Sequence, residues 1–338
     1  MRRRLLALAS ALIALAALVA IFWRLDWREA AGVMRRTGVW GTAAFTALTA
    51  GILFSQTLGW HALMRARGWR IPLRTTAVAM LMGNALAYVT PSMYLGGEPL
   101  RILYIGSRFG LQKRDVAATV LVHKFAEFAG FIVALLVCTG TMLWTFDLPA
   151  GIRVGSTAVS AFLLVVFLVL MAGFIGRWPL TSGLLRIFGK RAAGLRAKAE
   201  DMEGQIEATF RDHRGPFALC LVLTGGTAPL VVLRPLLFFV FAGRALPFPD
   251  LALLFVLTQI ILAFQFTPGG LGIFEGGLIG AFALIGLGAP EAMAYAVTQR
   301  LTDAVIVGAG VALAGKEGLS GFFSGKRPDG DRGGGAAG

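Results

Sequence analysis

Cysteine is nearly absent from this 338-residue chain: Cys138 and Cys220 are the only two, each set in an apolar run without a CxxC or a neighbouring Cys/His cluster. Two such thiols support neither a disulfide framework nor a zinc site, and both read as small membrane residues. Histidine occurs three times. His123 and Glu127 have the i, i+4 spacing of metal ligands, but His61 and His213 lie in remote segments, so no third ligand follows and His123 reads as a polar neighbour inside a helix bundle. Charge is scarce as well, at 15% of residues, where soluble domains carry about a quarter. Negative charge is scarcest, with 18 Asp plus Glu against 32 Lys plus Arg, a net of +14. That excess raises nucleic acid as a partner, an idea the positions of the charges argue against. There is no GxSxG, no HExxH and no polar stretch large enough to fold as a soluble catalytic domain. The run Gly310 to Lys316 mimics the start of a phosphate-binding loop, yet Glu317 replaces the required Ser or Thr at the end of an apolar segment. No cofactor and no metal are expected.

What the chain has in abundance is hydrocarbon: 57% hydrophobic residues and a mean hydropathy of +0.73. The composition predicts an all-α polytopic membrane protein. Apolar runs of about 18 residues or more mark membrane-crossing helices, and six occur, at 5–22, 41–63, 116–146, 155–175, 216–242 and 293–314. Two further apolar stretches, 76–105 and 251–287, are broken by Pro and Gly clusters that contain a carboxylate. These predict interrupted or re-entrant hairpins, or two short spans each.

The basic start MRRR resembles a signal peptide, but the apolar run is long and no polar cleavage region follows, which predicts a retained anchor. If each hairpin dips in and returns to its own face, 22 of the 32 Lys and Arg fall on one side, in residues 1–4, 65–74, 108–114, 177–214 and the tail. The opposite side receives Arg24, Arg28, Arg35, Arg36, Arg153 and Arg244. The positive-inside rule then places both termini in the cytoplasm. Loop 177–214 has a basic half and an acidic half, with apolar residues at helical spacing. It suits either an amphipathic helix on anionic inner-leaflet lipids or a solvated connector. Residues 1–315 are expected to form one membrane domain, and 316–338 a disordered cytoplasmic tail.

Two segments match at a nearly constant offset. TPSMYLGGE at Thr90 to Glu98 faces TPGGLGIFE at Thr267 to Glu275, displaced by 177; Lys124-Phe-Ala-Glu127 faces Arg300-Leu-Thr-Asp303, displaced by 176. With a two-residue gap, Gly68 to Pro72 also resembles Gly243 to Pro247. Three matches in one order imply a duplication with halves at about 5–150 and 151–315. Under the topology above the first half starts inside and the second outside, so the halves are inverted repeats, an architecture that places substrate sites near the midplane.

Eight ionisable residues fall at membrane depth: Glu98, Arg101, Lys124, Glu127, Arg234, Glu275, Arg300 and Asp303. Each would cost about 2.5–3.5 kcal/mol facing lipid, so they are expected to face the protein interior, largely paired. Lys124 with Glu127, and Arg300 with Asp303, share a helix face at i, i+3 and suit mutual neutralisation. Gly96 and Gly97, like Gly270 and Gly272, sit beside a carboxylate where helices break, which frees backbone N–H groups to meet an anion. Close helix packing is the competing reading of these glycines.

P-x4-GGE-x2-R at Pro91 to Arg101, the charged Lys124 to Glu127 span, and TPGGLGIFEGGL at Thr267 to Leu278 followed by the Arg300 span resemble the lysylphosphatidylglycerol synthase transmembrane region. The resemblance covers roughly residues 5 to 315. It implies a flippase-like integral membrane domain of the bacterial inner membrane, some of whose stand-alone relatives are associated with hopanoid biosynthesis. Multidomain members add a cytosolic aminoacyltransferase domain, which this sequence lacks, so lysyl transfer is not expected. Lys124 stands where many relatives have arginine, a point charge in place of a fork.

The resulting expectation is a lipid translocase rather than an enzyme, with the twelve residues of the two preceding paragraphs, the eight charges and four glycines, binding a polar or anionic head group. Two alternatives stay open: an integral membrane enzyme or accessory subunit working with lipid-biosynthesis enzymes, and a small-solute or ion transporter.

Overall fold

A computed structural model describes residues 27–89, 96–176, 212–263, 270 and 272–316, with the isolated positions 200 and 204. Among them the chain is helical throughout: α1 (Trp27–Ala66), α2 (Leu73–Val89), α3 (Glu98–Phe109), α4 (Lys113–Thr145), α5 (Ala150–Gly176), α6 (Arg214–Cys220), a π-helical turn (Leu221–Gly225), α7 (Ala228–Phe241), α8 (Phe248–Ala263), α9 (Ile273–Ala283) and α10 (Ala289–Lys316). Five stretches are long and apolar enough to cross a membrane: α1, α4, α5, α6 through α7, and α10. They coincide with five of the six runs read from the sequence. The sixth, 5–22, lies outside the described residues, as do the tail and nearly all of loop 177–214.

α1 is longer than its apolar run. Ala30, Val33 and Thr37 repeat at helical spacing on a buried stripe, which extends the helix to Trp27. Gly38 interrupts it with φ 63°, a left-handed conformation that costs glycine little, so the helix bends there. Beyond the bend, Trp40 is 81% exposed, and Trp144 at the end of α4 is 92% exposed. Such rings suit the water–lipid boundary.

Run 216–242 is not a uniform helix. At the π turn, Gly226 N–H reaches back to the Leu221 carbonyl (3.3 Å) and the Val222 carbonyl (3.0 Å). The widened turn leaves carbonyls in need of donors, and Ser55 Oγ donates to Leu223 O (2.6 Å) while Thr227 Oγ1 donates to Thr224 O (2.6 Å). Here α4 crosses so closely that a side chain at Gly130 would strike the Gly225 backbone.

Each interrupted stretch is built as two helices packed on one another, α2 with α3 and α8 with α9. The packing partners repeat between halves: α3 lies on α4 as α9 lies on α10, while α10 packs along α2 as α4 packs along α8. Two apolar cores follow this division. One gathers Trp60, Met80, Tyr104 and Val120 around α2 and α3; the other gathers Phe238, Phe255, Phe282 and Tyr295 around α8 and α9. Cys138 is a free thiol buried in the second of these cores, and Cys220 is one buried in a smaller cluster with Leu63 and Val122.

Candidate functional site

Glu98 begins α3 and Lys124 lies a third of the way along α4. The Lys124 ammonium stands 2.9 Å from Glu127 Oε2, one turn on, and 3.3 Å from Glu98 Oε1. The expected Lys124–Glu127 pair thus forms, with a second carboxylate added from the hairpin. The Glu98 contact is an ion pair without hydrogen-bond alignment, and neither Glu98 oxygen has a hydrogen-bond partner among the described residues. Glu127 is the wettest member, its side chain 36% exposed.

Arg101, one turn along α3 from Glu98, is only 5% exposed and lies in the field of Glu127 and Glu98. A Cβ at Gly83 would stand 2.5 Å from its Nε, so the bare face of α2 makes the guanidinium's room. Gly97 is buried with its α-carbon against the backbone of Gly83. Its role is therefore the close-packing one; Gly96 precedes it, half-buried. His123 completes this group, buried, with Nε2 at 3.0 Å from the Gln56 carbonyl and its ring beside Trp60.

The second group is built alike on α9 and α10. Arg300 Nε and Nη2 both meet Glu275 Oε1, at 2.9 and 2.8 Å, and Nη1 donates to the Tyr88 hydroxyl at 2.8 Å. Glu275 Oε2 accepts the Gly272 N–H at 2.7 Å. Gly272 caps α9 at φ 83°, a conformation that turns its N–H toward the first helical turn. The anion-seeking end of α9 is thus already occupied, by the protein's own carboxylate. Gly270, two residues earlier, is buried at φ 67°.

The Arg300–Asp303 pair expected from i, i+3 spacing does not form. The forked guanidinium finds in Glu275 a carboxylate held by a helix start, a better-aligned partner than a neighbour on its own helix. Asp303 lies beyond ion-pair distance, in the fields of Arg234 and Arg300. Arg234 stacks over Phe45, 4.7 Å from the ring centre, and its Nε and Nη2 have no hydrogen-bond partner among the described residues.

The eight charges therefore divide by electrostatic neighbourhood into two neutral groups, Glu98, Arg101, Lys124 and Glu127, and Arg234, Glu275, Arg300 and Asp303. The sequence had not singled out Tyr88, which ties α2 to α10, or the polar residues Thr258, Gln259 and Gln299 around Arg234. Their only signal is polarity inside apolar runs. Gly310, in the run that mimics a phosphate loop, lies instead where α10 meets the Leu81 backbone of α2.

An apolar cleft of about 650 Å³ lies between α4, α5 and the π turn with α7, walled by Val133, Val137, Phe167, Leu233 and Phe248. Val133 is 63% exposed, so the cleft opens toward the membrane side of the bundle.

Comparison with known proteins fits this picture. A profile described as lysylphosphatidylglycerol synthase TM region matches residues 6–310. A UPF0104 membrane protein of Methanothermobacter thermautotrophicus is 26% identical over 261 residues, 74% of this chain and 77% of the relative. A second UPF0104 membrane protein of that organism is 26% identical over 230 residues, 64% of this chain and 65% of its own length. No solved structure matches significantly. The chain is a multi-pass membrane protein that belongs to the family of the lysylphosphatidylglycerol synthase TM region.

Proposed function

We propose that the chain is a lipid translocase of the bacterial inner membrane, built as inverted repeats with both termini cytoplasmic and its two hairpins re-entering from opposite faces. The observation that carries this is the pair of equivalent links Lys124–Glu98 and Arg300–Glu275. Each ties the first turn of a hairpin's second helix, α3 or α9, to the matching position of the span that closes its half, α4 or α10. The matched helix packing of the two halves supports the repeat, exposed Trp40 and Trp144 suit helix ends at a water–lipid boundary, and the Lys and Arg bias supports the orientation.

In this reading each link is a gate. A carboxylate holds the cation, and at α9 the helix start, while the site waits. An arriving anionic head group competes for the same donors, and its binding releases the hairpin from the closing span. Arg101, Lys124, Arg234 and Arg300 then serve as counter-charges, and the glycines Gly97 and Gly272 fix the backbone from which Glu98 and Glu275 act. The apolar cleft, open sideways, suits tails that stay in the bilayer and argues against a solute cavity sealed from lipid. Residues 1–315 act as one transport domain without chemistry on the lipid.

The test is a deletion strain analysed by lipidomics with leaflet-selective labelling. A translocase leaves the lipid inventory unchanged and alters leaflet distribution. An altered inventory with normal distribution would refute this reading in favour of a biosynthetic enzyme.

A further inference from the structure

A groove of about 1040 Å³ runs along α1 from Ala31, past the bend at Gly38, to Ala50, with Leu301 of α10 as its far wall. Its floor is made of small side chains. Ala43, Ala47 and Ala50 are exposed, and a Cβ at Gly38 would meet nothing within 4 Å. The hydroxyls along it are already engaged: Thr42 Oγ1 donates to the Gly38 carbonyl at 3.1 Å, and Thr46 Oγ1 pairs with Thr302 Oγ1 at 2.9 Å. The surface therefore offers hydrocarbon and close approach rather than hydrogen bonds. On α10, Leu301 is 48% and Val305, one turn on, 61% exposed. Arg35 lines the groove toward its Trp27 end and is exposed, so its long side chain reaches the water boundary. Membrane helices pack through small residues that let backbones approach, and a groove of this kind fits another helix.

The apolar run 5–22 has the length, the connection and the surface to be that helix. Its 18 residues make a helix about 27 Å long, and Ala31 to Ala50 covers about 28 Å of α1. Only residues 23–26 separate it from Trp27, where α1 begins, and antiparallel helix pairs are joined by loops of about 2–5 residues. The run is uncharged, and Ala7, Ala11 and Ala14 share one helical face, as Ala43 and Ala47 do on α1. So short a tether holds the run beside the groove at an effective concentration on the order of millimolar, ahead of a second copy of the chain. We infer that residues 5–22 dock antiparallel in the α1–α10 groove and seal this face of the bundle from lipid. The inference stands apart from the translocase reading. With the turn centred on residues 23–26, facing positions have numbers that sum to about 49, which sets Ala7 near Ala43 and Ala14 near Met34.

The test is oxidative disulfide cross-linking of the full chain in native membranes, read from linked peptides by mass spectrometry and from dimer bands on non-reducing gels. A disulfide requires α-carbons about 4.4–6.8 Å apart, and the native thiols are buried. The pairs Ala7→Cys/Ala43→Cys and Ala14→Cys/Met34→Cys should link within one chain. Each should exceed by at least fivefold the control Ala7→Cys/Val165→Cys, whose second site is exposed on α5. Ala43→Trp fills the groove from an exposed position and should cut the Ala14→Cys/Met34→Cys link at least fivefold. Disulfide-linked dimers of single Ala43→Cys in excess of the intrachain product would assign the groove to a second copy and overturn the inference. So would equal linking of all three pairs, no linking in any, or a purified chain whose intact mass lacks residues 1–22.

Discussion

Replacing Glu275 by glutamine keeps the shape of the side chain and removes its charge. The carboxylate sits between donors on both sides: the Arg300 fork on Oε1, at 2.9 and 2.8 Å, and the Gly272 N–H on Oε2, at 2.7 Å. An amide has one acceptor oxygen and one donor NH₂, so in either orientation it satisfies one side and opposes the other. The Glu275 side chain is 6% exposed, and water offers little relief. Removing one partner of a buried ion pair costs about 3–5 kcal/mol, and the retained bond of Arg300 to Tyr88 places Glu275→Gln near the low end, about 3 kcal/mol. Net stabilities are only about 5–15 kcal/mol, so the loss is large. The assay is reversible unfolding in mixed detergent and SDS micelles, read by tryptophan fluorescence, with Arg300→Met and the double variant Glu275→Gln/Arg300→Met closing a cycle. Removing both charges is expected to recover most of the loss. A coupling energy below about 0.5 kcal/mol, the level at which distant sites are additive, would refute the reasoning.

Glu98→Gln should cost much less, under about 1 kcal/mol, because Lys124 keeps Glu127 at 2.9 Å and the Glu98 contact lacks hydrogen-bond alignment; the same unfolding assay checks the contrast. Gly97→Ala drives a methyl into the Gly83 backbone and should destabilise by about 1–3 kcal/mol. Gly140→Ala, with open space around its Cβ, should be neutral or stabilising by up to about 1 kcal/mol. With the native thiols buried, cysteines placed at exposed Gln112 and Ala245 should react with an impermeant maleimide from the cytoplasmic and the outer side respectively. Labelling of both from one side would contradict the topology.

The periodic parts of the fold were legible because apolar length is a one-dimensional property. Five runs became five long helices, and the Pro and Gly clusters marked where 76–105 and 251–287 divide. The π turn was not legible, since it depends on Gly225 meeting Gly130 from a helix some ninety residues away in sequence. Nor did the apolar run alone reveal that α1 reaches back to Trp27, because Ala30, Val33 and Thr37 are buried by tertiary packing.

At the site, repeat alignment found Glu98 with Glu275 and Lys124 with Arg300, residues that the structure links across helices. Spacing along one helix was the weaker guide: it found the Lys124–Glu127 pair but misjudged Arg300, whose partner sits on α9. Gly97 illustrates the same limit, because a glycine that frees a helix end and one that admits a neighbouring backbone look alike in sequence. Tyr88 carried no signal beyond its hydroxyl in an apolar helix. The +14 net charge, by contrast, is simply placed: the eight charges of the candidate site cancel within two groups, so the excess lies in the remaining residues of the chain.

If this chain moves lipid head groups through gates closed by Glu98–Lys124 and Glu275–Arg300, those two links govern the rate at which lipids change leaflet. The most direct measurement is leaflet exchange of fluorescent phosphatidylglycerol in proteoliposomes, quenched from outside with dithionite, comparing the native chain with Arg300→Met. The native chain is expected to exchange lipid well above protein-free vesicles, and folded Arg300→Met at least tenfold more slowly than the native chain. Native exchange equal to that of empty vesicles, or a folded Arg300→Met variant that exchanges at the native rate, would contradict it.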